Sequence, residues 1–277
     1  MRLLQFYLPF LIRYLRYYFL AQTKYDVHSP FVADFIARVY EDDRWYYAFS
    51  TTEVLRKKML QVKTELRVKD LGAGSAVFEN ESRRLCDLVR YTAISPLQGR
   101  LLFRLVNWHK PSTLLELGTS VGISAIYQAS AAQTAQMITV EGDGALAQLA
   151  RQNLKLSGLD QVAVVEGAFK NALPEALKQL AKLDFVYIDG DHRSDHTLAY
   201  FEQCMTHVHE DSLVVIGDIH WSSDMETAWK QLCSDSRVSL SIDLFDFGLL
   251  FFRSENKEKQ HFTLIQAKRK PWRIGLF

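Results

Sequence analysis

The sequence predicts an α/β fold in which helices cover both faces of a mostly parallel sheet, preceded by a helical N-terminal segment. From Ser112 onward, short apolar runs alternate with stretches of helical pattern, which implies right-handed crossovers between parallel strands. Before that point the pattern is mainly helical. The chain has 277 residues, of which 48% are hydrophobic, so it is long enough to bury a core beneath both parts.

Helix start signals define the N-terminal segment. Ser29 and Ser95 each precede a proline, and Ser50 lies three residues before Glu53. Both patterns are typical of the first turn of a helix. We therefore predict a helical extension over residues 1–110 and a sheet-containing domain over residues 111–277.

The apolar runs that follow predict five buried parallel strands, at 113–117, 137–141, 162–166, 184–188 and 213–217. Helices are expected near 121–133, 144–157, 172–182, 194–207 and 224–233. Two further runs, 238–252 and 262–267, flank a charged turn at 254–260 and indicate a C-terminal antiparallel hairpin. The expected sheet therefore has seven strands.

The first twenty residues carry an apolar run that Arg13 and Arg16 interrupt. A run of this length is too short to cross a bilayer, for which about 20 apolar residues are needed. We interpret residues 2–20 as a helix that packs on its own protein or on a dimer mate. The alternative is a helix lying in a membrane surface, with the protein otherwise cytoplasmic.

Composition excludes several other classes of protein. The 33 Lys and Arg residues nearly balance the 32 Asp and Glu residues, whereas a dedicated nucleic-acid-binding protein has a basic excess. The three cysteines, Cys86, Cys204 and Cys233, are too widely spaced for a zinc ribbon and odd in number for a disulfide framework. A reducing cytoplasm fits this cysteine usage.

A glycine-containing loop follows the first predicted strand and reads Glu116-Leu117-Gly118-Thr119-Ser120-Val121-Gly122-Ile123-Ser124. Glycines allow a tight turn close to a ligand, and the next helix offers free N–H groups to an anion. The second strand ends in Glu141, 23 residues beyond Gly118, where a carboxylate suits the two hydroxyls of a ribose. Together these features predict a cofactor that contains adenosine.

Two other glycine motifs compete with this interpretation. Residues 70–75 also resemble a cofactor loop, but the segment before them is too charged for a buried strand. Gly118 to Gly122 matches the G-x-S-x-G motif of α/β-hydrolases, with Ser120 as nucleophile and His220 in the usual triad order. No oxyanion segment precedes the motif, and a hydrolase would leave Glu141 without a task.

The motifs taken together resemble class I S-adenosylmethionine-dependent methyltransferases, and Leu115-Glu116-Leu117-Gly118 with Ser124 is most similar to the catechol O-methyltransferase-like branch. Further matching motifs are Val140-Glu141, Glu166-Gly167-Ala168, Tyr187-Ile188-Asp189 and Ile216-Gly217-Asp218. Asp189-Gly190-Asp191-His192 resembles a bacterial subgroup of that branch. The resemblance covers residues 112–267 and implies a Rossmann-like fold.

The resemblance also implies a cofactor site for S-adenosylmethionine. Glu141 would bind the ribose hydroxyls, Gly167, Ala168 and Phe169 would border the adenine, and Ser124 would hold the methionine carboxylate. The remaining residues implied to line the cofactor are Glu116, Gly118, Thr119, Ser120, Gly122 and Asp189. We expect O-methylation of a small-molecule acceptor, and the alternative is a cofactor-binding scaffold without chemistry.

Catalytic residues are expected at the ends of the fourth and fifth strands. In this branch a divalent metal such as magnesium orients the acceptor, and Asp189 and Asp218 occupy two of its carboxylate positions. The third position is Ile219, which cannot bind a metal, so Asp191 or His220 would have to replace it. His192 lies where the family has its catalytic lysine and is the first candidate for the general base, with His220 as the second.

Overall fold

In the computed structural model of the chain, residues 2–68 and 81–273 are described, residues 2–7 and 273 as backbone only. The glycine-rich segment 70–75 lies outside the described residues. Before the main sheet the elements are α1 (Arg2–Leu20), α2 (Pro30–Phe35), α3 (Tyr47–Met59), β1 (Glu65–Arg67), β2 (Ser82–Arg84), α4 (Leu85–Tyr91) and α5 (Pro96–His109).

The main sheet alternates with helices as the apolar pattern predicts. Its elements are β3 (Thr113–Leu117), α6 (Ile123–Ala131), β4 (Gln136–Glu141), α7 (Gly144–Leu156), β5 (Ala163–Glu166), α8 (Phe169–Gln179), β6 (Leu183–Ile188), α9 (Ser194–Met205), β7 (Val208–Gly217), α10 (Ser223–Ser234), β8 (Leu240–Asp243), β9 (Phe247–Phe251) and β10 (Gln260–Thr263).

The strand order creates a crevice at the carboxyl ends of the parallel strands. Within the described residues the sheet has eight strands in the order β10-β8-β9-β7-β6-β3-β4-β5, and β3 to β7 run parallel. The chain proceeds outward from β3 to β5 and then returns to β6 on the other side of β3. In open α/β sheets, ligands bind beyond the carboxyl ends of the strands at such a reversal.

The prediction for the C-terminal strands was partly wrong. The antiparallel hairpin is formed by β8 and β9, and β10 pairs in parallel with β8 at the sheet edge, so the charged segment 254–260 is not the hairpin turn. The hairpin turn lies inside the apolar run instead, at Leu244 and Phe245. Phe245 has φ of 74°, and its N–H donates to the Asp243 carboxylate at 2.8 Å. Apolar residues at this turn concealed it, and the sheet has eight strands rather than seven.

The helix start signals were correct in two cases. Helix α5 begins at Pro96 with a reciprocal cap between Ser95 and Gln98, and α2 begins at Pro30. Helix α3 begins at Tyr47, so Ser50 lies inside it rather than at its start. Its N-cap residue, Tyr46, makes no capping hydrogen bond through its side chain and carries no sequence signal.

The N-terminal helices share a core with the sheet. Val32 and Phe35 are fully buried in one cluster with Leu105 of α5 and Leu240 of β8. After α1 the chain also extends the sheet edge, because Gln22 pairs in parallel with Leu264. Among the described residues of this segment, the short antiparallel pair β1–β2 is the exception to the helical character. The extension therefore packs directly on the sheet.

Candidate active site

The loop after β3 is pressed against the loop after β6. Gly118 has φ of 106°, and a Cβ atom there would lie 2.5 Å from the carbonyl oxygen of Asp189. Gly122, with φ of 86°, packs against Ala150 of α7, where a Cβ atom would lie 3.2 Å from the Ala150 Cα. Since L-residues rarely adopt this conformation, both positions require glycine. The two glycines fix the first wall of the crevice.

Ser120 lies between these glycines in an uncommon conformation, with φ of 48°. Its N–H donates to Glu141 Oε2 at 2.7 Å. Its hydroxyl is buried and has no hydrogen-bond partner among the described residues. A buried hydroxyl without a partner costs about 1–3 kcal/mol, which indicates a place for a ligand.

Glu141 ends β4 and closes the same part of the crevice. Its second oxygen, Oε1, accepts from the N–H of Asp143 at 3.0 Å. Burial raises the pKa of Glu141, and the backbone donors around it oppose the shift. Backbone N–H groups thus hold the carboxylate at the end of its strand, the position at which the sequence analysis expects a carboxylate that binds the ribose hydroxyls.

Glu116 lies deeper than expected. Its side chain is fully buried beneath the loop. Gln128 Nε2 donates to Glu116 Oε1 at 2.7 Å, and the Thr139 hydroxyl donates to Glu116 Oε2 at 2.6 Å. Burial raises the pKa of Glu116 to about 7, and side-chain hydrogen bonds from Thr139, Ser124 and Gln128 oppose the shift. Thr119 is buried too and bonds the Thr139 hydroxyl. Glu116, Thr119 and Ser124 are therefore all buried at the base of the loop.

The expected adenine border lies at the start of α8. Gly167 has φ of 150°, and its N–H donates to the carbonyl of Glu141 at 2.8 Å. Ala168 caps the helix, and the Phe169 ring makes an edge contact with Tyr200 at 5.5 Å between centroids. A Cβ atom on Gly190 would lie 2.4 Å from the Phe169 ring. Phe169 is therefore half-buried between the loops after β5 and β6.

Two carboxylates and an imidazole converge beyond β6 and β7. One ligand atom from each of Asp189, His192 and Asp218 lies within 4.8 Å of the others. His192 Nε2 is 3.9 Å from Asp218 Oδ2, and the Tyr187 hydroxyl donates to Asp189 Oδ2 at 2.6 Å. Burial and the nearby Asp218 carboxylate raise the pKa of Asp189 to about 7. Such mutual repulsion between acids is relieved by a cation or a proton.

Backbone strain is concentrated at this cluster. Asp191, His192 and Asp218 have φ of 73°, 44° and 53°, values that non-glycine residues seldom adopt. Gly217 precedes Asp218, and a Cβ atom there would lie 2.2 Å from Asp189 Oδ1. The strain and the missing side chain both serve to bring the three side chains together.

The third member of the cluster is His192, which the sequence analysis considered only as a general base and not as a partner of the two carboxylates. Asp191 was one of two candidates for the position that Ile219 leaves, but Arg193 binds its carboxylate at 2.6 and 3.0 Å. Tyr200 and His196 bond the same carboxylate. Asp191 is therefore engaged elsewhere, and Ile219 is fully buried. Asp191 and His192 both have a left-handed backbone, which no sequence signal reveals.

His220, the other candidate for that position and the second candidate for the base, has both ring nitrogens engaged. Nδ1 lies 2.7 Å from Glu226 and Nε2 lies 2.9 Å from Asp243. Burial opposes protonation, yet these two carboxylates outweigh it and raise the pKa of His220. The ring stacks on Phe245. This geometry leaves no nitrogen for a base, for a metal or for a hydrolase triad with Ser120, so the α/β-hydrolase alternative is not favoured.

A cavity of about 180 Å³ opens beside Asp218. It is lined by Phe10, Gln98, Asp218, His220, Trp221, Phe245 and Asp246. Arg13 of α1 closes this wall by donating to the carbonyls of His220 and Trp221, each at 2.8 Å. Burial and the Asp218 carboxylate raise the pKa of Asp246 to about 6. Phe245 and Asp246 escaped the sequence analysis because their turn resembled a strand.

The surrounding segment matches known proteins. A family model described as a methyltransferase domain matches residues 115–219. The match runs from β3 through the first residues after β7, which is the part of the chain that contains the cofactor loop and the acidic cluster.

Curated relatives support the same family. A catechol O-methyltransferase of Niastella koreensis is 31% identical over 130 residues, which is 46% of this chain and 58% of that protein. A transmembrane O-methyltransferase homologue of Rattus norvegicus is 33% identical over 100 residues, 34% of this chain and 39% of that protein. The chain thus spans about two fifths to three fifths of the length of these relatives. The resemblance read from the motifs is confirmed.

Solved structures share the fold of the methyltransferase domain. An O-methyltransferase from Bacillus cereus in complex with S-adenosylhomocysteine has a TM-score of 0.52 at 19% identity, covering 79% of this chain and 95% of that chain. A Podospora anserina methyltransferase has a TM-score of 0.55 at 16% identity, covering 82% and 98%. The predicted Rossmann-like class I fold is confirmed.

Proposed function

We propose that the protein is an S-adenosylmethionine-dependent methyltransferase that methylates a hydroxyl group of a small-molecule acceptor. The observation that carries the proposal is the buried Ser120 hydroxyl, which has no hydrogen-bond partner among the described residues. It is held between two obligatory glycines and the Glu141 carboxylate. It lies in the same crevice as the Asp189, His192 and Asp218 cluster. A ligand site thus adjoins groups that can orient and deprotonate an acceptor.

The residues of the crevice fit the cofactor by their chemistry. Glu141 accepts from ribose hydroxyls, Ser120 supplies a hydroxyl that needs a partner, and Phe169 offers a half-buried ring edge to the adenine. Gly118 and Gly122 allow close approach of the backbone. The cofactor supplies a methyl group that its sulfonium has already activated, so the protein must only align the acceptor and accept a proton.

The proton acceptor in this proposal is His192. Its imidazole is only partly exposed, and its Nε2 atom faces the Asp218 carboxylate. When Nε2 takes the proton of the acceptor hydroxyl, the Asp218 carboxylate 3.9 Å away stabilises the imidazolium that forms. His220 instead positions the cavity wall through its two carboxylate partners. The cavity lined by Phe10, Trp221 and Phe245 would hold the acceptor.

The same cluster offers a donor set for a divalent cation. Two carboxylates and one imidazole suit a transition ion such as Mn²⁺ better than Mg²⁺, which prefers oxygen ligands. A bound cation would orient an acceptor oxygen and favour its ionisation, and His192 would then be a ligand rather than the base. Calorimetry with MnCl₂ on the metal-free protein decides between the two roles. Binding that disappears in His192→Asn assigns the ligand role, and full activity in a chelator assigns the base role.

The proposed function is tested by the formation of S-adenosylhomocysteine, first with cell extract and then with a panel of phenols, sugars and acids scored by product mass. Calorimetry with S-adenosylmethionine tests the cofactor site, and we expect Glu141→Ala to weaken binding at least tenfold. Glu166→Ala is the matched control, since this glutamate ends the neighbouring strand but is half exposed. Unchanged affinity in Glu141→Ala would overturn the ribose assignment. Cofactor binding without any turnover would favour the scaffold alternative.

A further inference from the structure

The outward face of α1 is a continuous apolar stripe. It consists of Leu8, Leu11, Ile12, Leu15 and Phe19, whose spacing places them on one side of the helix. Their side chains are 43% to 72% exposed. Contiguous exposed apolar surface of this kind marks an interaction site. We call these five residues the outer stripe.

The opposite face of α1 is fixed to the rest of the protein. The rings of Phe10, Tyr14 and Tyr17 all contact Phe245, at 5.0 to 5.4 Å between centroids. Arg13 bonds two carbonyls of the loop after β7. The helix is therefore docked by one face, and the exposure of the outer stripe does not result from a detached segment.

Basic and aromatic groups surround the outer stripe. Arg16 is exposed beside it, and Trp272 lies next to α1 through a ring contact with Tyr18 at 5.8 Å. Lys268 and Arg269 are exposed on the short helix that precedes Trp272. An apolar helix face bordered by tryptophan and basic residues is the composition found at membrane interfaces.

Charge is distributed very unevenly in the sequence. Residues 1–25 and 262–277 together contain eight of the 33 Lys and Arg residues and none of the 32 Asp and Glu residues. The remainder of the chain therefore carries a net charge of −7 although the total is +1. The two terminal segments pack together, because Tyr18 donates to the carbonyl of Arg269 at 2.9 Å and Lys270 donates to that of Ala21 at 2.6 Å.

We infer that the outer stripe and its basic border bind the surface of an anionic lipid bilayer. Charge complementarity favours this occupant over a second copy of the chain, since a two-fold contact would bring Arg16 and its symmetry mate onto one apolar patch. None of the described helices is long and apolar enough to cross a membrane, so the contact is with the surface. The inference does not depend on methyl transfer.

Vesicle co-sedimentation of the full chain tests this inference. We expect binding to vesicles of phosphatidylcholine with phosphatidylserine, little binding to phosphatidylcholine alone, and loss of binding in 1 M salt, where the screening length is about 3 Å. Leu11→Ser combined with Leu15→Ser should lower the partition coefficient about tenfold or more. Arg16→Glu should lower it by about 25-fold, because it changes the local charge by two and each charge near such a surface contributes on the order of fivefold.

Leu156→Ser is the matched control, since this leucine is 77% exposed on α7, away from α1. It should bind vesicles like the unchanged protein, and circular dichroism establishes that all variants are folded. Three results would overturn the inference. The protein could bind neutral vesicles as well as anionic ones, it could fail to bind anionic vesicles, or Leu156→Ser could weaken binding as much as the Leu11 and Leu15 changes do. If the protein does not bind vesicles but forms a dimer that the Leu11 and Leu15 changes dissociate, the outer stripe is a contact with a second copy of the chain.

Discussion

The buried Glu116 carboxyl should make the stability of the protein depend on pH. Burial raises its pKa from the usual 4.5 to about 7 in the folded protein, whereas the unfolded chain keeps the ordinary value. Between these values the folded state holds a proton that the unfolded state releases, so stability falls as pH rises from about 4.5 to about 7. The shift corresponds to a loss of about 3 kcal/mol for this one group.

Glu116→Gln removes this titration while preserving the shape of the side chain. Its amide can still accept from Gln128 Nε2 and can donate to the Thr139 hydroxyl. Urea unfolding followed by circular dichroism at pH 4.5 to 8 measures the free energy of unfolding of both proteins. We expect the variant to gain about 3 kcal/mol relative to the unchanged protein between the lowest and highest pH.

The difference between the two proteins isolates Glu116, because Asp189 and Asp246 titrate in the same direction in both. Glu175→Gln, on an exposed part of α8, is the control and should parallel the unchanged protein within about 0.5 kcal/mol. A difference that stays constant with pH, or that shrinks as pH rises, would refute the claim that Glu116 is protonated in the folded state at acidic pH.

Two further predictions concern the acidic cluster. His192→Asn should lower kcat by about 10²- to 10⁴-fold with unchanged affinity for S-adenosylmethionine. His207→Asn, two residues beyond the end of α9, should have no effect. Equal kcat values for the His192 variant and the unchanged protein would exclude a catalytic role for His192. Gly217→Ala should displace Asp189, because the new Cβ would lie 2.2 Å from its Oδ1, and should cost about 1–3 kcal/mol in urea unfolding together with most of the activity. Stability and turnover both equal to those of the unchanged protein would contradict the observed contact.

Part of the candidate site could be predicted because its residues follow directly from local patterns. Gly118, Gly122 and Glu141 come immediately after strands whose apolar character identifies them, and parallel strands bring such ends to one edge. Glu116 and Thr119 were expected in the crevice for the same reason, but both side chains are buried at the base of the loop. Neighbouring positions in a motif need not share an environment.

Other parts of the site depend on contacts between distant segments. Arg13 and His220 are 207 residues apart in the chain, and no local signal connects them. The turn at Phe245 was concealed because leucine and phenylalanine occupy it, and the Asp243 carboxylate stabilises it from within the preceding strand. The place of His192 in the cluster depends on two consecutive left-handed residues.

The sequence by itself determined the alternation of strands and helices, the methyltransferase motifs and the uneven distribution of charge, because each depends on composition or on short spacings. Only the tertiary structure decided that His192 joins Asp189 and Asp218, that His220 is held by two carboxylates, and that α1 closes the cavity with one face while exposing the other. The physical reason is that burial and electrostatic partners depend on which strands become neighbours. The return of the chain from β5 to β6, beside β3, brings together groups that are far apart in sequence.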